Sequence, residues 1–201
     1  QKGTFKNGEQ DGEWVYYHYN GQLNQKGTFK NGEQDGEWVC YHDNDQLNQK
    51  GTFKNGKQDG EWIKYHRKGQ LLEKGRYKSG EKEGQWVEDH DGFTGKGSYK
   101  NREREGEWIT YYDQFQSGDG YLMWKEFYKN GKQDGESIKY DREGQLLEKG
   151  RYKSGEKEGE CVVYDCQGEL VERGSYKNGK KEGKWVHYWN YGEVSSTGSY
   201  K

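Results

Sequence analysis

The chain has 201 residues, of which 34% are charged and only 27% hydrophobic, a balance that by itself suggests disorder. The aromatic share of 16%, with 18 Tyr and 8 Trp, excludes an ordinary disordered tail. A formal net charge of −2 lacks the basic surplus that nucleic acid demands, and no apolar run approaches the ~20 residues of a membrane-spanning helix.

From the first residue the chain repeats itself. The stretch QKGTFKNGEQDGEWV at 1–15 recurs unchanged at 25–39. Units open at Gly3, Gly27, Gly51, Gly75, Gly97, Glu126, Gly150 and Gly174, and a ninth begins at Gly198. The chain thus starts and stops inside a repeat, as a piece of a longer array would. A block duplication is also visible, since LLEKGRYKSGEKEG stands at 71–84 and again at 146–159.

Each unit reads as a β-hairpin. The first strand of the unit at Gly27 covers Leu23 to Lys30, with Leu23, Gly27 and Phe29 on one face by the period-two rule. Asn31-Gly32 then opens a turn that closes at Gly36, because Asn and Gly supply the positive φ such turns need. The second strand covers Glu37 to His42, rich in the Trp, Val and Tyr that strands favour. A second turn follows near 43–46. No stretch shows helical periodicity. The expected fold is therefore all-β: an elongated antiparallel β-meander of about eight 24-residue β-hairpin repeats. It is organised as regular repeats one to five over 1–110, an irregular aromatic insertion over 111–125, and repeats six to eight with the start of a ninth over 126–201. The whole is expected to be one continuous array.

The second strands separate two columns. Val15 and Tyr17, with their equivalents, form one nearly constant column that suits packing between neighbours. The opposite face carries Trp14, position 16 and His18. Position 16 varies from unit to unit: Tyr16, Cys40, Lys64, Glu88, Thr110, Lys139, Val163 and His187. A fixed Trp beside a variable site reads either as a recognition surface or as a half-buried ring with an exposed neighbour. The candidate partner-binding residues on this face are Trp14, Tyr16, His18, Trp38, His42, Trp62, His66, Trp86 and Trp108.

The histidines His18, His42, His66 and His90 recur at one per unit, but equivalent atoms one repeat apart lie ~10 Å from each other, too far to share a zinc ion. No metal and no cofactor is expected. Lys6, Lys30, Lys54 and their equivalents form a basic column, and Asp11, Asp35, Asp59 and theirs an acidic one across the same turn. These columns read as cross-strand pairs, with a phosphoinositide-binding lysine stripe as the functional alternative.

Between Tyr111 and Phe127 the array breaks. The unit there is five residues over length and holds Phe115, Tyr121 and Trp124. Just after it, Ser137 and Cys161 replace Trp in two successive units. Either Trp124 fills the space left by the missing rings, or Phe115, Tyr121 and Trp124 form an apolar docking patch.

No catalytic constellation emerges: there is no nucleophile elbow, no Cys-x-x-Cys pair and no phosphate-binding loop, and an enzyme is not expected. Three cysteines, Cys40, Cys161 and Cys166, give no disulfide framework. With no leader in the residues given, they favour a cytoplasmic setting.

The segment YKNGKKEGKWVHY at 176–188 resembles the MORN repeat in its bacterial variant, a pattern it shares with YwqK-family antitoxins. The resemblance implies a non-enzymatic module for protein–protein interaction or scaffolding, and the antitoxin likeness implies inhibition by binding a partner. Two other readings remain open. GEWVYYHYNGQL at 12–23 resembles the aromatic hairpins of cell-surface carbohydrate- or choline-binding repeats, and a scaffold apposed to membrane phospholipid is the third.

Overall fold

The computed structural model describes residues 1–90, 92–112 and 120–201. These residues form antiparallel strands joined by turns, with no helix among them. They divide into two compact units, Gln1–His90 with Tyr99–Arg102, and Asp91–Ser98 with Glu103–Lys201.

In the first unit, each strand pairs with the next in chain order. Gly12–Tyr17 pairs with Leu23–Lys30, which pairs with Gly36–Tyr41, and the pattern continues through Leu47–Lys54, Lys57–Tyr65, Leu71–Lys78 and Glu81–His90. At the start, Lys2 exchanges backbone hydrogen bonds with Val15, so both sides of that strand are filled there. In the second unit Glu103–Tyr112, Tyr121–Lys129, Lys132–Tyr140, Leu146–Lys153, Gly159–Tyr164, Leu170–Lys177, Lys180–Tyr188 and Val194–Tyr200 follow the same rule.

The first turn is tighter than the sequence suggests. Lys30 already pairs with Glu33 and Phe29 with Gln34, so the loop is the two residues Asn31-Gly32, at φ 50° and 77°. Gly36, at φ 94°, closes no turn. It lies within a step in the pairing with the first strand, where Phe29 pairs with Gln34 but Lys26 with Val39, so the second strand carries two more residues than its partner there. A positive φ inside such an irregularity lets the strand absorb the extra length.

The register fixes what shares a face. Trp14 stands opposite Gly27, Tyr16 opposite Gln25 and Gly12 opposite Phe29, alternating with Val15 opposite Lys26 and Glu13 opposite Thr28. This alternation corrects the expected role of the two columns. The core lies on the tryptophan face: Trp14, Trp38, Trp62 and Trp86 in the first unit are 1–4% exposed, and Trp108, Cys161 and Trp185 in the second are equally enclosed. Most of the valine and isoleucine column is only half-buried.

Glycine explains why the indole goes in. Gly27 faces Trp38, and a Cβ at Gly27 would overlap the ring; the same holds at Gly3, Gly51, Gly75, Gly97 and Gly174. Each indole occupies space that a side chain would fill elsewhere. Phe or Tyr rings then pack edge-on between successive indoles. Phe5, Trp14, Phe29, Trp38, Phe53, Trp62, Tyr77, Trp86 and Tyr99 form one ladder with centroid separations of 5.0–6.4 Å. Edge-to-face contacts at this spacing add to the area each ring buries. Backbone carbonyls of Thr4, Thr28, Ser98 and Ser175 accept the indole N–H of Trp14, Trp38, Trp108 and Trp185 at 3.1 Å.

The irregular repeat keeps its register. Tyr112 pairs with Tyr121 and Tyr111 with Leu122, so the additional length falls between these paired ends, largely outside the described residues. Glu126 takes the glycine position there and stands opposite Ser137, which takes the tryptophan position. A large side chain and a small one have thus exchanged places.

Candidate functional site

Five of the expected contact residues, Trp14, Trp38, Trp62, Trp86 and Trp108, are sealed in the core, and their rings are not available to a partner. Tyr16 is half-buried, stacks on Trp14 with centroids 5.9 Å apart, and accepts a hydrogen bond from Gln10. Phe115 lies outside the described residues. Tyr121 is 49% exposed. Trp124 is half-buried on the tryptophan face, in register with Thr110 and Lys139, and the Lys139 ammonium sits 5.4 Å from its ring centroid.

The histidines join repeats. His18 Nε2 donates to the Tyr41 carbonyl and His42 Nε2 to the Tyr65 carbonyl, each at 3.1 Å, while the Asn24 and Asn48 amides donate to the matching Nδ1 atoms. A carbonyl acceptor places a proton on Nε2, and each ring bridges its repeat to the next. His66 instead accepts the Lys68 backbone N–H at Nδ1. In the second unit Asp141 and Asp165 take this position, and each caps its own turn, accepting from the backbone of Glu143 and Gln145 or of Gln167 and Glu169. No group of three His, Cys, Asp or Glu among the described residues is placed to hold a metal ion.

The acidic column does something other than pair with lysine. Six of its carboxylates reach the turn of the next repeat and accept the backbone N–H of that turn's first residue. Asp11 takes Asn31 and Asp35 takes Asn55 at 3.4 Å, Asp59 takes Ser79 and Asp134 takes Ser154 at 3.0 Å, and Glu105 takes Asn130 and Glu158 takes Asn178 at 2.9 Å. Lys78–Glu83 at 4.0 Å and Lys177–Glu182 at 3.5 Å are the pairs within a turn that resemble the expected ones, and both are exposed.

Sequence reasoning missed a charged row beside the indoles. Lys82 lies 4.1 Å from the Trp86 centroid and 5.5 Å from Tyr99, Arg104 4.1 Å from Trp108 and 5.6 Å from Tyr128, and Lys181 3.8 Å from Trp185 and 5.9 Å from Tyr200. The protein's own cations therefore sit between the rings of adjacent hairpins. Glu73 and the buried Glu88 hold Lys82 at 3.2 and 2.7 Å; Glu172 holds Lys181 at 3.1 Å, and Glu148 holds Lys157 at 2.5 Å. Burial alone would lower the Lys82 pKa, but its bonds to Glu88 and Glu73 raise it above the ordinary lysine value. The signal was present as a spacing of nine: Glu73 goes with Lys82, Glu148 with Lys157 and Glu172 with Lys181, whereas Gln25 goes with Gln34 and Gln49 with Gln58.

The face opposite the indoles carries Tyr17, Tyr41, Tyr65, Tyr111, Tyr140, Tyr164 and Tyr188, one in every repeat but the fourth, where Asp89 takes the position; the ring is exposed at Tyr17 and half-buried elsewhere. Lys96 and Arg173 lie over Tyr111 and Tyr188, and Lys50–Glu37, Lys125–Glu107 and Lys149–Glu136 form ion pairs of 2.9–3.0 Å.

Four segments, residues 10–31, 34–55, 58–79 and 133–154, match the family model of the MORN repeat variant. Over these four segments the chain is similar to the MORN repeat. No curated protein matches it. MORN repeats commonly serve as modules for protein or membrane interaction. In the first three of these segments the recurring Trp and Gly stand opposite each other, whereas in the fourth Ser137 stands opposite Gly150.

Proposed function

We propose that the chain is a non-enzymatic protein-binding module whose contact surface is the tyrosine-bearing face, not the tryptophan face. The observation that carries this reading is the tyrosine column: seven repeats offer a partly accessible ring on a face that also carries paired Lys and Glu side chains. Tyrosine provides large contact area at low entropic cost, which is why it is enriched where proteins meet. Antitoxin-like inhibition is the form this takes if the bound face of the partner includes its active centre. A choline or carbohydrate cage is less well supported, because Lys82, Arg104 and Lys181 already occupy the spaces between rings. A phospholipid-apposed lysine stripe is likewise weakened by the carboxylates that stand across the same turns.

The test is a pull-down from the native cell, followed by titration of the purified captured partner against the parent chain and against Tyr65→Ser and Tyr140→Ser. Affinity should fall at least about tenfold, as for a central aromatic contact, while the melting temperature changes little. Unchanged affinity in both variants overturns the reading, as does saturable binding of choline or of liposomes with no protein captured.

A further inference from the structure

After the first repeat, four first turns contain Asn followed by Gly: Asn31-Gly32, Asn55-Gly56, Asn130-Gly131 and Asn178-Gly179. Each takes two hydrogen bonds from the preceding repeat. The acidic column accepts the Asn N–H, and a backbone carbonyl accepts the Gly N–H: Gln10 for Gly32 and Gln34 for Gly56 at 2.9 Å, Arg104 for Gly131 at 3.1 Å and Lys157 for Gly179 at 3.0 Å. We propose that these four turns are latent sites of spontaneous deamidation, held closed by this pair of bonds.

The chemistry needs only water. The Gly backbone nitrogen bonds to the side-chain carbonyl carbon of Asn, the bond from that carbon to the side-chain nitrogen breaks, and the Gly proton leaves with the nitrogen as ammonia. Water then opens the cyclic imide to aspartate or isoaspartate. Glycine permits this attack because it has no side chain to obstruct the approach. The attack also requires the Gly N–H to leave its acceptor and the Asn backbone to rotate out of its left-handed conformation, φ 48–50° in these four turns. Both bonds oppose that movement.

The Asn side chain is not what the preceding repeat holds. Ser79 and Ser154 receive the same clamp, from Asp59 and Asp134, and their Gly80 and Gly155 N–H groups bond to Gln58 and Gln133. Those two turns hold the same conformation without an amide to lose. In the four others, conversion would put a new carboxylate on the residue whose N–H the clamp carboxylate accepts, and like charges so placed repel. The modification therefore loosens the bond between repeats that had protected it.

The experiment is peptide mapping by mass spectrometry after prolonged incubation at neutral pH and 37 °C. In Glu158→Ala, Asn178 should convert several-fold faster than in the parent, while Asn31, whose clamp is intact, keeps its rate. Glu158→Gln retains a side-chain oxygen to accept the N–H and should restore most of the protection. Equal Asn178 rates in parent and Glu158→Ala overturn the proposal. So does a parallel rise at Asn31, which would mean general loosening, or a Glu158→Gln rate equal to that of Glu158→Ala.

Discussion

The indole of Trp86 lies so close over Gly75 that a single methyl group on that glycine would overlap the ring. Gly150 occupies the same place in an identical fourteen-residue stretch, but there the facing residue is Cys161, and an added Cβ would meet its Sγ at 3.7 Å, an ordinary contact. Gly75→Ala should therefore cost about 1–3 kcal/mol, the usual penalty for overfilling a packed core. Gly150→Ala should be neutral within about 0.5 kcal/mol, since alanine also restricts the unfolded chain. Urea unfolding of the two variants checks this directly, because sequence context is held constant and only the facing residue differs.

The clamp between repeats has a measurable share in stability. Asp59 accepts the Ser79 N–H at 3.0 Å in a turn that carries no Asn. Asp59→Ala should lower stability by about 1 kcal/mol, the typical net value of one hydrogen bond, and Asp59→Asn, which keeps the acceptor, by less. His42→Ala should show a loss of similar size, because it removes the bond to Tyr65 and leaves Asn48 without its ring acceptor. Thermal unfolding would register both.

The hairpins, their Asn-Gly turns and the block duplication could be read from the sequence because they depend on local propensity and spacing. The order of importance of the two columns could not. Both recur in nearly every unit, and period two says only that Trp38 and Val39 point in opposite directions. The register that sets Trp38 beside Gly27 decides which is core, and that is a relationship across strands. The acidic column was misread for a similar reason. Its partner is a backbone N–H twenty residues away in the next repeat, as from Asp11 to Asn31, and a main-chain donor leaves no trace in composition.

Cys161 predicts a pH dependence. Burial, with the nearby Glu148 carboxylate adding to it and Lys157 opposing, pushes its thiol from 9.0 up to about 11. A raised pKa means that the folded chain holds this proton more tightly than the unfolded chain does. The contribution is fully present below pH 9.0 and is lost as pH rises through about 11. Unfolding free energy should fall across that window, and Cys161→Ala should flatten part of the fall; Tyr77, Tyr128, Tyr152 and Tyr176, also raised chiefly by burial, account for more with the same sign. At neutral pH a thiol reagent should label the exposed Cys166 and leave Cys161 unmodified until the chain unfolds.

The spacing of nine between acid and base predicts a coupling that can be transplanted. Gln25 and Gln34 stand where Glu73 and Lys82 stand two repeats later, and Gln34 precedes Trp38 by the same four residues that separate Lys82 from Trp86. Lysine at 34 would place its ammonium against the Trp38 ring, with Phe53 as the next ring of the ladder. Glutamate at 25 would then supply the carboxylate that anchors it. Gln34→Lys alone desolvates a charge with no acid at 25 and gains a cation–π contact, so it should change stability by less than about 0.5 kcal/mol. Gln25→Glu alone should be neutral or slightly unfavourable. Together they should stabilise the chain by about 0.5–1 kcal/mol more than the sum of the single changes, because each residue supplies what the other lacks. A double-mutant cycle from denaturant unfolding gives this coupling. A value near zero would mean that the Glu73–Lys82 pair depends on the buried Glu88, which has Cys40 as its counterpart in the earlier repeat, and not on the rings and the nine-residue spacing.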